Sequence, residues 1–300
     1  MSDQKLVWIN NNMVLWEKAT VPILSHGLSR GSAIFEVFGV HPGPEGPMAF
    51  RMDKHIDRLF HTADCLGMTI AYSKEEIMQA VSEAVRVNKI GRGLVKIMAY
   101  WSEEAIISLV LDSDLDIAIF AVSEGNGLTL DSAEPLKACF SKWYKLHPLT
   151  VPTTAKACAY YLNGMIARKS AMEKGFDIGI LRHTDGFVAE GSIESVFIIK
   201  DGIIKTPPLG NILSSITRMS IIEAAEAEGL TVSQELIPSE VLFEADEMFI
   251  CHTGSKIMPI KQFEDRQLPA PGPVTERLLA IIGSITSFKD DRFVHWFQPL

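Results

Sequence analysis

In the stretch Pro152-Thr153-Thr154-Ala155-Lys156-Ala157-Cys158-Ala159-Tyr160-Tyr161-Leu162, one lysine stands among small residues. Alanines on both sides leave its stem a tight, partly buried passage, and an ammonium held there must be bonded or neutralised, because burying it unpaired is very costly. Most lysines in such a setting let the ammonium reach water instead, so the stretch by itself marks Lys156 only as a candidate. A helix follows, running to about Lys174 and ended by Gly175. The strand Leu136 to Trp143 leads into the stretch through Pro148 and Pro152.

Upstream, residues 123–134 read SEGNGLTLDSAE, polar and glycine-containing as links between domains are. The expected division is a small N-terminal α+β domain over 1–122, a linker over 123–134 and a larger C-terminal domain over 135–300. In the first, Leu6 to Ile9 and Met13 to Trp16 flank Asn10-Asn11-Asn12 as a hairpin. Ile34 to Val40 and Met48 to Arg51 flank the turn at Pro42 to Pro47. Ile56, Leu59, Phe60 and Ala63 recur at helical spacing behind Asp53 as cap, and Ser73 with Glu76 makes a capping box for the next helix. Leu94 to Tyr100, Ile106 to Leu111 and Ile117 to Val122 have strand length. Beyond the lysine, Ile178 to Arg182 and Val196 to Ile199 bracket a turn at Thr184-Asp185-Gly186. Thr217 to Gly229 is helical, Ser239 caps a short helix, Glu247 to Cys251 is a strand, and a last helix starts at Pro273.

The chain has 300 residues, 47% of them apolar, enough for two ordinary cores. Its formal charge of −9 comes without basic runs, so no nucleic-acid partner is expected. No apolar run reaches the ~20 residues that span a bilayer, and Met1-Ser2-Asp3-Gln4-Lys5 does not lead into one, so a soluble, cytoplasmic protein without membrane partners is expected. Cys65, Cys139, Cys158 and Cys251 are widely spaced, which predicts free thiols and no metal site.

Four further segments carry chemistry-bearing residues. Asp185 to Phe197 contains Glu190-Gly191 at a strand end, where a glutamate is ordinarily a surface residue. Leu213-Ser214-Ser215-Ile216-Thr217-Arg218 opens a helix, whose exposed N–H groups suit an anion, although Ser214 or Ser215 could simply cap it. Phe50-Arg51-Met52-Asp53-Lys54-His55-Ile56-Asp57-Arg58-Leu59 holds an arginine whose planar fork matches phosphate. Cys251-His252-Thr253-Gly254-Ser255 is a turn with a hydroxyl.

Taken singly these motifs are weak. Their order from Arg51 through Lys156, the Glu-Gly corner and the Ile-Thr-Arg helix start to the His-Thr turn resembles the class IV pyridoxal-phosphate-dependent aminotransferases over nearly the whole chain. The resemblance implies a two-domain α/β (α+β) fold of the D-amino-acid aminotransferase type, with pyridoxal 5'-phosphate as cofactor. By it, Lys156 forms a Schiff base with the cofactor and serves as general base. Tyr161 bonds the phenolic oxygen and Glu190 keeps the ring nitrogen protonated. Arg51, Ile216, Thr217 and Thr253 hold the phosphate.

Within the family the branched-chain amino-acid aminotransferases look closest, from Trp8-Ile9-Asn10, Ser25-His26-Gly27-Leu28 and the stretch Trp143 to Lys156. The function implied is amino transfer between Leu, Ile or Val and 2-oxoglutarate by ping-pong half-reactions, in a homodimer or larger homo-oligomer. Phe35, Val37, Leu94, Lys96, Gly254 and Ser255 are the expected substrate contacts, with Lys145 and Arg30 as other cations. Leu94-Val95-Lys96 stands where those enzymes carry Tyr-x-Arg, and Phe35-Glu36-Val37 looks more like D-amino-acid aminotransferases and aminodeoxychorismate lyases. Those two activities are the alternatives within the fold; a noncatalytic binding protein is the remote one.

Overall fold

A computed structural model describes residues 5–125, 130–131 and 134–300. The chain forms two compact units: Met1–Thr129 with Ala155–Ala159 and Asp290–Leu300, and Leu130–Thr154 with Tyr160–Lys289. Of the linker expected over 123–134, residues 126–129 and 132–133 lie outside the described residues. Two segments expected in the C-terminal domain join the first unit instead. Ala157 bridges Ile34, and the Cys158 N–H donates to the Ala33 carbonyl at 2.8 Å. Phe297–Pro299 pairs antiparallel with Gly46–Phe50. Such long-range pairings leave no local signal.

In the first unit the described strands form one sheet in the order Phe297–Pro299, Gly46–Phe50, Ile34–Gly43, Gly93–Tyr100, Asp116–Ser123, Leu6–Ile9, Asn12–Leu15. Positive φ at Asn10 and Asn11 closes the first hairpin. Helices Met52–Cys65 and Lys74–Val87 pack on one face, the second behind the Ser73–Glu76 capping box. The first is not capped by Asp53: Arg51 is its N-cap, in a left-handed conformation with φ 52°, and its N–H donates to the Trp296 carbonyl.

The run Ile106 to Leu111 is not a strand. Gly93–Tyr100 and Asp116–Ser123 pair directly from end to end, which leaves no place between them. Carbonyls of the run go to side chains instead, Ile106 to Arg30 and Leu109 to His26.

Alternation along Ile34–Gly43 sends Ile34, Glu36, Phe38 and Val40 into the core, and Phe35 and Val37 to the other face. Glu36 is thus a carboxylate in an apolar core, 0% exposed, and must be paired. Arg58 donates Nε and Nη2 to its two oxygens at 2.7 Å each, and His55 Nδ1 lies 2.7 Å from Oε2. Burial alone would raise the Glu36 pKa, but Arg58 and His55 hold it at about 2. Burial drives His55 down to about 4 despite Glu36. The imidazole is therefore neutral near neutral pH and donates from Nδ1.

The second unit is an open sheet in the order Val232–Gln234, Ile203–Thr206, Ser195–Lys200, Glu247–His252, Lys256–Phe263, Leu136–Phe140, Ile178–Ile180, with Arg266–Gln267 beside Lys256–Phe263. Helices Ile216–Ala227 and Pro273–Thr286 pack on Glu247–His252, and Tyr161–Met172 packs on Ile178–Ile180. Glu247 caps the last helix, accepting from the N–H groups of Val274 and Thr275. Among the described residues no helix is long and apolar enough to cross a membrane.

Two outcomes test the buried cluster. Arg58→Ala should destabilise the protein by roughly 3–5 kcal/mol in urea titration, since it leaves the Glu36 carboxylate buried without its main partner. As pH falls from 6.5 towards 4, the unfolded chain takes a proton at His55 that the folded chain refuses, so stability should fall across that window. The Glu36 contribution, present above 4.5, should be lost as pH drops further towards 2. His55→Gln should flatten the upper part of that profile.

Candidate active site

In the first unit, Lys156 is half-buried between buried Ala155 and Ala157. Its N–H donates to Thr62 Oγ1 at 3.1 Å, its carbonyl accepts from the Phe35 N–H at 3.3 Å, and its Nζ stands 4.8 Å from the Phe35 ring centroid. Phe35 sits opposite Met98 and Val37 opposite Lys96. Phe35, Val37, Leu94 and Lys96 therefore share the sheet face turned away from the helices, and Lys96 Nζ lies 5.1 Å from the same Phe35 ring. Burial raises the Cys158 pKa, against the lowering effect of Lys96 and Lys156, which disfavours the thiolate there. Arg51, also in this unit, is buried with its guanidinium 4.5 Å from the Trp296 ring.

In the second unit, a local hairpin positions Glu190. The turn at 184–186 is present, but its return arm is residues 187–190 rather than Val196 to Ile199: Arg182 bridges Val188, and the Leu181 N–H donates to the Glu190 carbonyl at 2.8 Å. Glu190 is buried and ion-paired through Oε1 to Lys145. Lys145, one of the cations considered for substrate, is thus committed to the carboxylate. Among the described residues nothing donates to Glu190 Oε2, which is the acceptor a protonated ring nitrogen requires.

The corner after Glu190 is braced by Glu194, which belongs to none of the residues expected at the site. Its Oε2 accepts from the Ile193 N–H, its carbonyl accepts from the Gly191 N–H, and Arg168 pairs with Oε1. Burial raises the Glu194 pKa and Arg168 opposes that rise. A carboxylate four residues past Glu190, at the mouth of an apolar strand, was the available signal. Helix Tyr161–Met172 approaches this corner so closely that a Cβ at Gly164 would strike the Ser192 carbonyl. Tyr161 opens that helix and is half-buried.

At the start of Ile216–Ala227, Ser215 Oγ accepts from the Arg218 N–H. The N–H groups of Ile216 and Thr217 have no acceptor among the described residues, and with the helix dipole they fit a phosphate. The Ser215 cap therefore leaves room for an anion at the same helix start. Arg218 is spent on structure, donating to Thr206, Pro207 and Gln234.

In the turn after Glu247–His252, Lys256 Nζ donates to the Thr253 carbonyl and lies 3.5 Å from Asp131. The Gly254 N–H goes to His252 Nδ1 at 2.9 Å. The Ser255 N–H has no such engagement among the described residues.

Each unit carries chemistry that suits the expected cofactor: in the first, an amine on an apolar face; in the second, a buried carboxylate with one oxygen uncommitted among the described residues and two N–H groups at a helix start. Comparison with known proteins agrees. Residues 33–263 match the family described as Amino-transferase class IV. The chain is 32% identical over 294 residues to the branched-chain-amino-acid aminotransferase of Pseudomonas aeruginosa, covering 97% of this chain and 96% of that relative. A solved branched-chain aminotransferase from the thermophilic archaeon Thermoproteus uzoniensis, with norvaline, matches at a TM-score of 0.93 and 32% identity over 99% of each chain. A solved T.th. branched-chain amino acid aminotransferase with pyridoxamine 5'-phosphate matches at a TM-score of 0.92 and 27% identity over 98% of each chain. Class IV aminotransferases depend on pyridoxal phosphate. The chain belongs to the class IV aminotransferase family, has its α/β fold and is an aminotransferase.

Proposed function

We propose that this enzyme transfers an amino group between L-branched-chain amino acids (Leu, Ile, Val) and 2-oxoglutarate in two half-reactions. The observation that carries the reading is the setting of the Lys156 amine: it lies on Phe35, on a sheet face shared with Val37 and Leu94. An apolar side chain fits beside such an amine. Lys96, on the same face, supplies a cation for a carboxylate. The names of the P. aeruginosa and T. uzoniensis relatives support the same substrates.

When bound, pyridoxal phosphate supplies an aldehyde that exchanges amines and a ring that accepts the electron pair left at the substrate Cα. Arg51, the Ile216 and Thr217 N–H groups and the Thr217 and Thr253 hydroxyls would hold its phosphate, Tyr161 its phenolic oxygen and Glu190 Oε2 its ring nitrogen. Lys156 Nζ would anchor it and, as a free amine, would take the proton from the substrate Cα. Lys145 pairs with the buried Glu190 through Oε1, which leaves Oε2 for the ring nitrogen.

The departures Leu94-Val95-Lys96 and Phe35-Glu36-Val37 favour, as second reading, a D-amino-acid aminotransferase or an aminodeoxychorismate-lyase-like enzyme. A homodimer and a cytoplasmic location belong to the first. Ile106, Ile107, Leu109 and Val110 are all exposed apolar residues of one short segment, with Ile107 88% exposed, and a second copy of the chain would cover it.

Absorbance titration of the cofactor-loaded enzyme separates the substrates. L-leucine, L-isoleucine, L-valine and L-glutamate should each bleach the visible band, and D-alanine should not; the reverse pattern moves the assignment to the second reading. Lys156→Ala should lower turnover by about 10³-fold or more and abolish the peptide label that borohydride fixes. In sedimentation velocity the wild type should run as a dimer or larger, and Ile107→Asp should shift it towards monomer; a monomeric wild type would sink the assembly.

A further inference from the structure

We propose that Thr62 is the positioning residue for Lys156, and that the Glu36–His55–Arg58 cluster makes Thr62 a fixed point. The proposal rests on the reading of Lys156 as the cofactor-bearing lysine.

Arg51, His55, Arg58 and Thr62 are spaced four, three and four residues apart, which puts them on one stripe of helix Met52–Cys65 and its cap. All four are buried, His55 at 1% exposed and Thr62 at 0%. A polar stripe turned inward is costly unless each group is bonded. Arg58 and His55 are bonded to Glu36, and Thr62 Oγ1 accepts the Lys156 N–H.

The other main-chain group of Lys156, its carbonyl, is held by the Phe35 N–H. Phe35 is the neighbour of Glu36 on the same strand. Lys156 is thus gripped from two elements at once, by Thr62 of the helix and Phe35 of the strand, and those elements are locked to each other by the buried ion pair beside Phe35. Flanking residues reinforce the grip through the Ile34–Ala157 bridge and the Cys158–Ala33 bond.

Such a frame suits a lysine that alternates between an anchored and a free amine. Only the side chain then moves, and the main chain returns Nζ to the same point on the Phe35 ring. Misplacement of a reacting group by about 1 Å can cost on the order of 10²-fold in rate. Thr62 touches no reacting atom, so its influence runs through Lys156 alone.

Thr62→Val keeps the side-chain shape and removes the acceptor, whereas Thr62→Ser keeps the acceptor and removes a methyl group. In protein freed of cofactor, hydrogen–deuterium exchange at the Lys156 amide should rise about tenfold or more in Thr62→Val and stay near wild type in Thr62→Ser. In loaded enzyme, Thr62→Val should lower kcat about tenfold to a hundredfold with KM little changed, and Thr62→Ser should recover most of it. Unchanged Lys156 exchange in Thr62→Val, or equal kcat losses in both variants, would overturn the proposal. Borohydride labelling of another lysine would instead overturn the underlying assignment, while the exchange result would still decide whether Thr62 holds the Lys156 main chain.

Discussion

The first unit depends on a charge placed where charge is least welcome. Glu36 lies on the core face of Ile34–Gly43 because strand alternation puts it there, between Ile34 and Phe38. Removing a carboxylate from water is expensive, and only a close, well-aligned partner makes it tolerable. Arg58 meets both oxygens, and His55 meets one of them. The result is a directional lock between helix and strand that apolar packing alone would not provide, since dispersion contacts permit sliding. Arg51 at the head of the helix and Thr62 near its end inherit their positions from that lock.

A similar economy governs the second unit, where Glu190 and Glu194 are both buried but differently occupied. Glu194 uses its oxygens on Arg168 and the Ile193 N–H and so shapes the corner. Glu190 gives one oxygen to Lys145 and keeps the other uncommitted among the described residues. A purely structural ion pair would gain by satisfying both oxygens, as Arg58 does for Glu36. Glu190 thus keeps an oxygen for the role proposed for it, while Glu36 and Glu194 use both of theirs to hold shape.

What could be read in advance followed the range of the interaction. The Ser73–Glu76 capping box and the Asn10–Asn11 turn are encoded within a few residues and formed as expected. Asp53 has the right residue type for a cap, yet the pull of the Trp296 carbonyl on the Arg51 N–H moved the cap by two positions. Phe297–Pro299 joins a strand some 250 residues earlier in the chain, and Ala155–Ala159 leaves the surrounding unit for the edge of Ile34–Gly43. Neither carries a local pattern. The chemistry-bearing residues were legible chiefly as an ordered set resembling a family; the Lys145–Glu190 pair and the His252–Gly254 bond are contacts between side chain and partner that residue types alone do not specify.

The run from Ile106 to Val110 shows why composition misleads at a surface. Four apolar residues within five, three of them β-branched, have the same look whether they enter a core strand or await a partner. Strand formation requires a free neighbouring edge, and here the two candidate neighbours pair with each other along their whole length. With its carbonyls drawn to Arg30 and His26, the run is pinned as an irregular loop with its side chains outward. An apolar loop held in that way cannot collapse inward to hide itself. Its hydrophobicity therefore belongs to the surface rather than to the core, where the proposed second copy would cover it.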